Sequence, residues 1–227
     1  NFKIGFVERN SDFYEKLDLV KSYFKIVDES LGFSLSKVIL NGPEKELMLT
    51  QNAQPAIMTV GVSIYHVLNK EFGYNLSNSK FFAGHSLGEY TALVCSGSLT
   101  IENAAYLLKE RGQSMQKAVP PGGGSMMAIL GMSITEVENE INLLSKENVC
   151  EIANDNSNNQ IVVSGKKKNI ESLNEILKKK KKKGIILSVS APFHCSLMDQ
   201  AANSMKDKIN KKNFLKPNPS IISNVTA

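Results

Sequence analysis

Pro120-Pro121-Gly122-Gly123-Gly124 interrupts both helices and strands, and the hydrophobic pattern differs on its two sides. Before it, apolar residues recur at steps of three and four. Leu17, Val20, Phe24, Val27 and Leu31 predict a helix reaching to about Ser36, and Ile57, Val60, Ile64, Val67 and Leu68 predict a second one from about Gln54 to Leu68, with Pro55 in its first turn. A short apolar strand follows at Phe81–Ala83, then helices over about 87–96, ended by Gly97, and about 100–118, capped by Thr100. After the break, runs at 126–131, 149–153, 160–165 and 184–189 read as strands. Helices at 135–144 and 168–178 stand between the first and second strands and between the third and fourth. This β-α-β-β-α-β order is the ferredoxin-like plan, and it closes on Ala191-Pro192-Phe193-His194.

Where the Phe81–Ala83 strand meets the next helix the sequence is Gly84-His85-Ser86-Leu87-Gly88. A G-x-S-x-G turn between strand and helix is the context of a nucleophile elbow, with the serine at the strand's end and the Leu87 N–H at a helix start, placed to hold an oxyanion. The plainer reading of Ser86 is a capping serine in an ordinary turn. Glu89 reads as a first-turn acid that suits the helix dipole and caps the Ser86 backbone. Such a serine needs a base. Of the three histidines, His85 adjoins the nucleophile, His66 lies within a helix and reads as a surface or a satisfied histidine, and His194 sits in the loop after the last strand, where catalytic groups concentrate.

Arg111 falls on the helical stripe Ala104, Leu108, Met115, which points its guanidinium inward. An inward guanidinium needs an anion, and its planar fork suits a carboxylate. Asp155 or Glu89 could supply one internally; the carboxylate of a dicarboxylic acyl substrate is the other source.

The bulk properties exclude several classes. Net charge is +5, and the lysine run Lys178–Lys183 accounts for the excess. Without interleaved aromatic residues or a recognition motif, nucleic acid is not an expected partner. No apolar run of about 18 residues spans a membrane, and Asn1–Asn10 does not read as a signal peptide. Cys95, Cys150 and Cys195 are an odd, scattered set that suits a reducing compartment. The histidines lack metal-ligand spacing, so neither metal nor redox cofactor is expected.

Gln54-Pro55-Ala56, Gly84-His85-Ser86-Leu87-Gly88-Glu89-Tyr90, Glu110-Arg111-Gly112 with Met115-Gln116, the stretch 153–165 and Ala191-Pro192-Phe193-His194 come in one order across nearly the whole chain. In these segments the chain resembles the malonyl-CoA:acyl-carrier-protein transacylases of type II fatty acid synthesis. The resemblance implies an α/β fold: an α/β-hydrolase-like core with a parallel sheet, formed by residues 1–121 and 191–227, and an inserted ferredoxin-like subdomain over 124–189. It implies that Ser86 is acylated, that His194 is its base, that the Leu87 amide is half of the oxyanion hole and that Arg111 grips the malonyl carboxylate. Phe193, Met115 and His85 are the further substrate-binding residues expected. Malonyl-CoA and acyl carrier protein are the implied partners, with Lys166–Lys168 and Lys178–Lys183 as basic stretches that either meet the carrier protein or are solvated helix ends.

The family opens with a Pro-Gly-x-Gly-x-Gln loop and continues past the position of Ala227. The expectation is therefore a piece that begins at Phe2–Phe6 just after that loop, with the second oxyanion donor and the group orienting His194 outside it. Asn- and Lys-rich coding with a bacterial-type enzyme points to a bacterial cytoplasm or a parasite's plastid stroma. A serine esterase or thioesterase on the same elbow, or a catalytically incomplete fragment, are the alternatives.

Overall fold

The computed structural model describes residues 12–120, 122–144, 149–189 and 191–226; Phe2–Phe6, expected just after the family's opening loop, and Pro121 lie outside them. The chain divides into two compact units, Asn1–Gly112 with Asp207–Ala227, and Gln113–Lys206. These divisions fall inside helices, whereas the sequence places them at 121/124 and 189/191.

In the first unit, α1 (Asp18–Leu31) buries Val20, Phe24, Val27 and Leu31, the stripe read from the sequence. It stops short of Ser36 because Gly32 turns left-handed at φ +70° and donates its N–H to the Asp28 carbonyl. A new helix, α2 (Leu35–Asn41), starts where the Asp28 carboxylate accepts both the N–H and the hydroxyl of Ser36. After the short α3 (Glu44–Leu47), α4 runs from Thr50 to Lys70. It begins four residues earlier than expected, so Pro55 sits inside the helix and not in its first turn.

The buried face of α4 also differs from the expected stripe. Ile57 and Ile64 are exposed, while Thr59 and Ser63 are buried. Their hydroxyls donate back to the carbonyls of Pro55 (2.7 Å) and Thr59 (2.8 Å), so polar residues enter the core without an unpaired group.

Strand β1 (Phe81–Ala83) leads through the elbow into α5 (Gly88–Cys95), and α6 (Ile101–Ala118) follows. Gly97, at φ +72°, ends α5, and the Thr100 hydroxyl accepts the Asn103 N–H at the start of α6. Far along the chain, β6 (Ser220–Ile222) lies parallel to β1, with Ala83 opposite Ile222. That pairing brings the residues after β6 beside the elbow.

The second unit holds a four-stranded antiparallel sheet. Its elements are β2 (Gly124–Leu130), α7 (Ile134–Ile141), β3 (Cys150–Ser157), β4 (Gln160–Lys166), α8 (Lys167–Lys179) and β5 (Lys183–Ile186). The strand order β3-β4-β2-β5 is the ferredoxin-like arrangement. Both helices cover one face, where Val137, Ile170, Leu173 and Leu177 pack on Met127, Ile129, Ile161 and Val163. Ser133 and Glu136 form a capping box at the start of α7. Gly124 begins β2 and is not part of the break, and it is a glycine because a Cβ there would stand 2.2 Å from the Pro192 ring. Within the lysine run, Lys178 pairs with Glu175, Lys180 with Glu140 and Lys182 with Glu136, so part of its charge is answered inside this unit. No helix among the described residues is long and apolar enough to cross a membrane.

Candidate active site

Ser86 occupies the left-handed region at φ +53°, a conformation costly for a residue with a side chain. The chain reaches it through a reversal so tight that a Cβ on Gly84 would lie 2.0 Å from the Gly88 carbonyl oxygen. Gly84 is therefore obligatory. Gly88 is not required in the same way, since a Cβ there meets nothing within 4 Å. The N–H groups of Gly88, Glu89 and Tyr90 donate to the carbonyls of His85, Ser86 and Leu87. The Leu87 N–H has no acceptor among the described residues and opens α5, where the helix field favours negative charge.

Arg111 lies in the same unit. Its Nη2 donates to the Ser86 Oγ at 3.0 Å and its Nη1 to Gln54 Oε1 at 2.5 Å. Gln54, itself buried, passes its amide on to the Thr50 hydroxyl at 3.0 Å. Gly112 makes this geometry accessible: a Cβ there would sit 2.4 Å from the Gln51 Cα, so only a glycine lets α6 approach the first turn of α4 this closely. Burial pushes the Arg111 pKa down, with Tyr90 and Glu89 opposing, and burial raises that of Tyr90. The guanidinium forms no ion pair among the described residues; its two recorded acceptors are neutral. Of the two internal acids the sequence offers, Glu89 is not bonded to it, and Asp155 belongs to the second unit.

Glu89 is engaged elsewhere. Its Oε2 accepts from the backbone N–H and from the side-chain amide of Asn224. The Ser86 N–H goes to Asn224 Oδ1 at 2.8 Å, so the expected cap of the Ser86 backbone by Glu89 is replaced by an asparagine that follows β6.

His85 is exposed in the elbow. His66 stacks on Tyr23 at 4.8 Å and meets the edge of Tyr65 at 5.1 Å, and burial lowers its pKa, as befits a packed ring.

His194 belongs to the second unit and, like Ser86, is left-handed, at φ +60°. Its loop is tied down on both sides. Pro192 fills the space that Gly124 leaves, and the Cys195 thiol lies 3.3 Å from the Pro192 carbonyl and 3.6 Å from the Ser164 hydroxyl. The Ser196 N–H and hydroxyl both donate to the Glu151 carboxylate. Phe193 packs on the cluster of Met115, Val119, Met198 and Ala201, so two expected substrate-binding residues, Phe193 and Met115, share one apolar group. Ser86, Leu87, His85 and Arg111 are in the first unit; His194, Phe193 and Met115 are in the second. Gln54, Asn224 and Glu151 had no role assigned from sequence. A polar residue on a buried helical face could have pointed to Gln54; nothing local marks the other two.

The description "Acyl transferase domain" matches residues 16–227. The chain is 39% identical over 224 residues to the malonyl CoA-acyl carrier protein transacylase of Bacillus subtilis (strain 168), covering 98% of this chain and 69% of the relative. It is 34% identical over 216 residues to the transacylase of the same name from Escherichia coli (strain K12), covering 95% and 69%. Another transacylase of that name from Bacillus subtilis is longer still, and the chain spans 55% of it. Among solved structures, an acyl-carrier-protein-S-malonyltransferase from Bartonella henselae superposes with a TM-score of 0.90 at 40% identity, covering 95% of this chain and 69% of that one. A malonyl-transacylase in complex with its type II PKS acyl-carrier protein gives 0.91 at 32% identity, covering 98% and 70%. The chain belongs to the acyl transferase domain family.

Proposed function

We propose that the protein moves a malonyl group from coenzyme A to the phosphopantetheine thiol of acyl carrier protein, through a malonyl ester on Ser86. The observation that carries this reading is Arg111, a largely buried guanidinium beside the Ser86 hydroxyl with only neutral acceptors recorded. Such a group is costly until a carboxylate arrives, and malonyl is an acyl group that ends in one.

His194 takes the Ser86 proton as Oγ attacks the thioester carbonyl, and the Leu87 N–H stabilises the oxyanion. The C–S bond breaks, the imidazolium returns its proton to the departing thiolate, and malonyl remains as the serine ester. In the second half the carrier-protein thiol gives its proton to His194 and attacks the ester, and Ser86 leaves with that proton. Arg111 holds the carboxylate through both halves, with Phe193, Met115 and His85 as further substrate contacts. Neither metal nor redox cofactor takes part, since each step is an acyl or proton transfer. The carrier protein is the acceptor, and Lys178–Lys183 is not assigned to it, because Lys180 and Lys182 are paired with acids of α7. A reducing compartment, bacterial cytoplasm or plastid stroma, fits the three free cysteines.

The test is intact mass of the full-length protein after mixing with malonyl-CoA. A stable malonyl adduct that Ser86→Ala abolishes supports the transferase. Hydrolysis without an adduct identifies an esterase, and an undiminished adduct on Ser86→Ala removes the serine from the account.

A further inference from the structure

The nucleophile's strained backbone is held by one side chain from the far end of the described chain. Asn224 Oδ1 accepts the Ser86 N–H at 2.8 Å. Its Nδ2 donates to the Gly84 carbonyl at 2.8 Å and to Glu89 Oε2. Its backbone N–H donates to the same carboxylate oxygen at 3.1 Å. A single amide thus ties the residue two before the serine, the serine itself and the residue three after it.

We infer that Asn224, backed by Glu89, is a positioning residue for the nucleophile: it holds Ser86 in the left-handed turn and takes up the Ser86 N–H, which leaves the Leu87 N–H as the elbow amide that meets the reacting carbonyl. The inference rests on the reading of Ser86 as the acylated residue.

The chemistry fixes why this position is an asparagine. The Ser86 N–H can only donate, whereas the Gly84 carbonyl and the Glu89 carboxylate can only accept. The clamp must present an acceptor on one side and donors on the other, which a side-chain amide does and neither a carboxylate nor a hydrocarbon does. Glu89 sets which way the amide faces, since flipping it would put its oxygen against a carboxylate. A left-handed non-glycine residue persists only where its surroundings hold it, and here Gly84 provides the space and Asn224 the bonds. The β1–β6 pairing delivers the clamp, because Ala83 opposite Ile222 sets Asn224 level with the turn. Engaging Glu89 also keeps that acid from becoming a direct partner of Arg111.

The experiment compares Asn224→Ala, Asn224→Asp and the double variant Asn224→Asp/Glu89→Gln in the full-length protein. It reads the single-turnover rate of Ser86 malonylation, the KM for malonyl-CoA and the melting temperature, with Ser86→Ala as control. Displacing a reacting atom by an ångström costs about a hundredfold in rate, and Asn224→Ala is expected to slow acylation on that scale with KM little changed. Asn224→Asp sets a carboxylate against Glu89 and the Gly84 carbonyl and should lose as much. Adding Glu89→Gln restores a donor facing an acceptor, now from residue 89 to residue 224, and should recover about tenfold. Wild-type acylation by Asn224→Ala, or no recovery in the double variant, overturns the clamp. If Asn224→Ala does not fold, the single and double Asp variants still decide. A Ser86→Ala protein that is still malonylated would instead overturn the nucleophile reading on which the clamp rests.

Discussion

Arg111 donates to the Ser86 hydroxyl across 3.0 Å, and the carboxylate of Glu89, three residues beyond that serine, is bonded to Asn224 and not to the arginine. The guanidinium is thereby aimed at the nucleophile with only neutral acceptors recorded, the arrangement a carboxylate-bearing acyl group requires.

The two elbow glycines should respond differently. Gly84→Ala forces a Cβ against the Gly88 backbone, which cannot yield as a flexible side chain would. It should cost about 3 kcal/mol of stability, together with acylation. Gly88→Ala meets open space and should keep its melting temperature. Thermal unfolding of the two variants makes the comparison; equal losses would mean that the turn is not as tight as described.

Gln54→Glu should harm substrate binding more than folding. It replaces the neutral acceptor on Arg111 Nη1 with a carboxylate that answers the charge internally. A competing internal carboxylate should raise the KM for malonyl-CoA by about tenfold or more, equivalent to about 1.4 kcal/mol. Steady-state kinetics with malonyl-CoA check this, and an unchanged KM would show that Gln54 does not govern the arginine.

These relationships were unequally legible in the sequence. Gly84, Ser86, the ends of α5 and the cap at Thr100 could be read because each depends on neighbours within a few residues. The buried face of α4 is not legible from periodicity, which counts aliphatics, because Thr59 and Ser63 enter the core by bonding their own helix. Gly112 looks like any helical glycine until Gln51 is placed against it. Asn224 could not be assigned at all, since its role exists only through a parallel pairing of strands 139 residues apart in register, Phe81 with Ser220.

The thiols should be inert at neutral pH. Burial pushes Cys95 and Cys150 up to about 12. A raised folded pKa favours the protonated thiol, so its contribution to stability is complete below the unfolded-state value near 8.5 and is lost as pH rises through about 12. Iodoacetamide at pH 8 should leave both unlabelled in the native protein and label both in denaturant, as peptide mapping would show. Rapid native labelling of either would contradict the burial.

His194 and His85 should separate cleanly. His194→Ala removes the proposed base and should slow malonylation of Ser86 by at least about a hundredfold, whereas His85→Ala should have a smaller effect. Rapid-quench measurement of adduct formation distinguishes them. A larger loss at His85 would place the base in the elbow itself.

The most direct test of the account is the choice between malonyl and acetyl. Removing one partner of a charged hydrogen-bonded pair costs about 2–5 kcal/mol, or about thirty- to several-thousand-fold at 1.4 kcal/mol per decade. Arg111→Ala should lose malonyl transfer on that scale, and Arg111→Lys should recover only part, lacking the planar fork. Acetyl-CoA brings no carboxylate, so its transfer should hold level or improve. The measurement is kcat/KM for both acyl groups with wild type, Arg111→Ala and Arg111→Lys. A selective loss of malonyl transfer is the predicted result; equal losses for malonyl and acetyl would make Arg111 a structural residue and contradict the assignment of its guanidinium to the substrate.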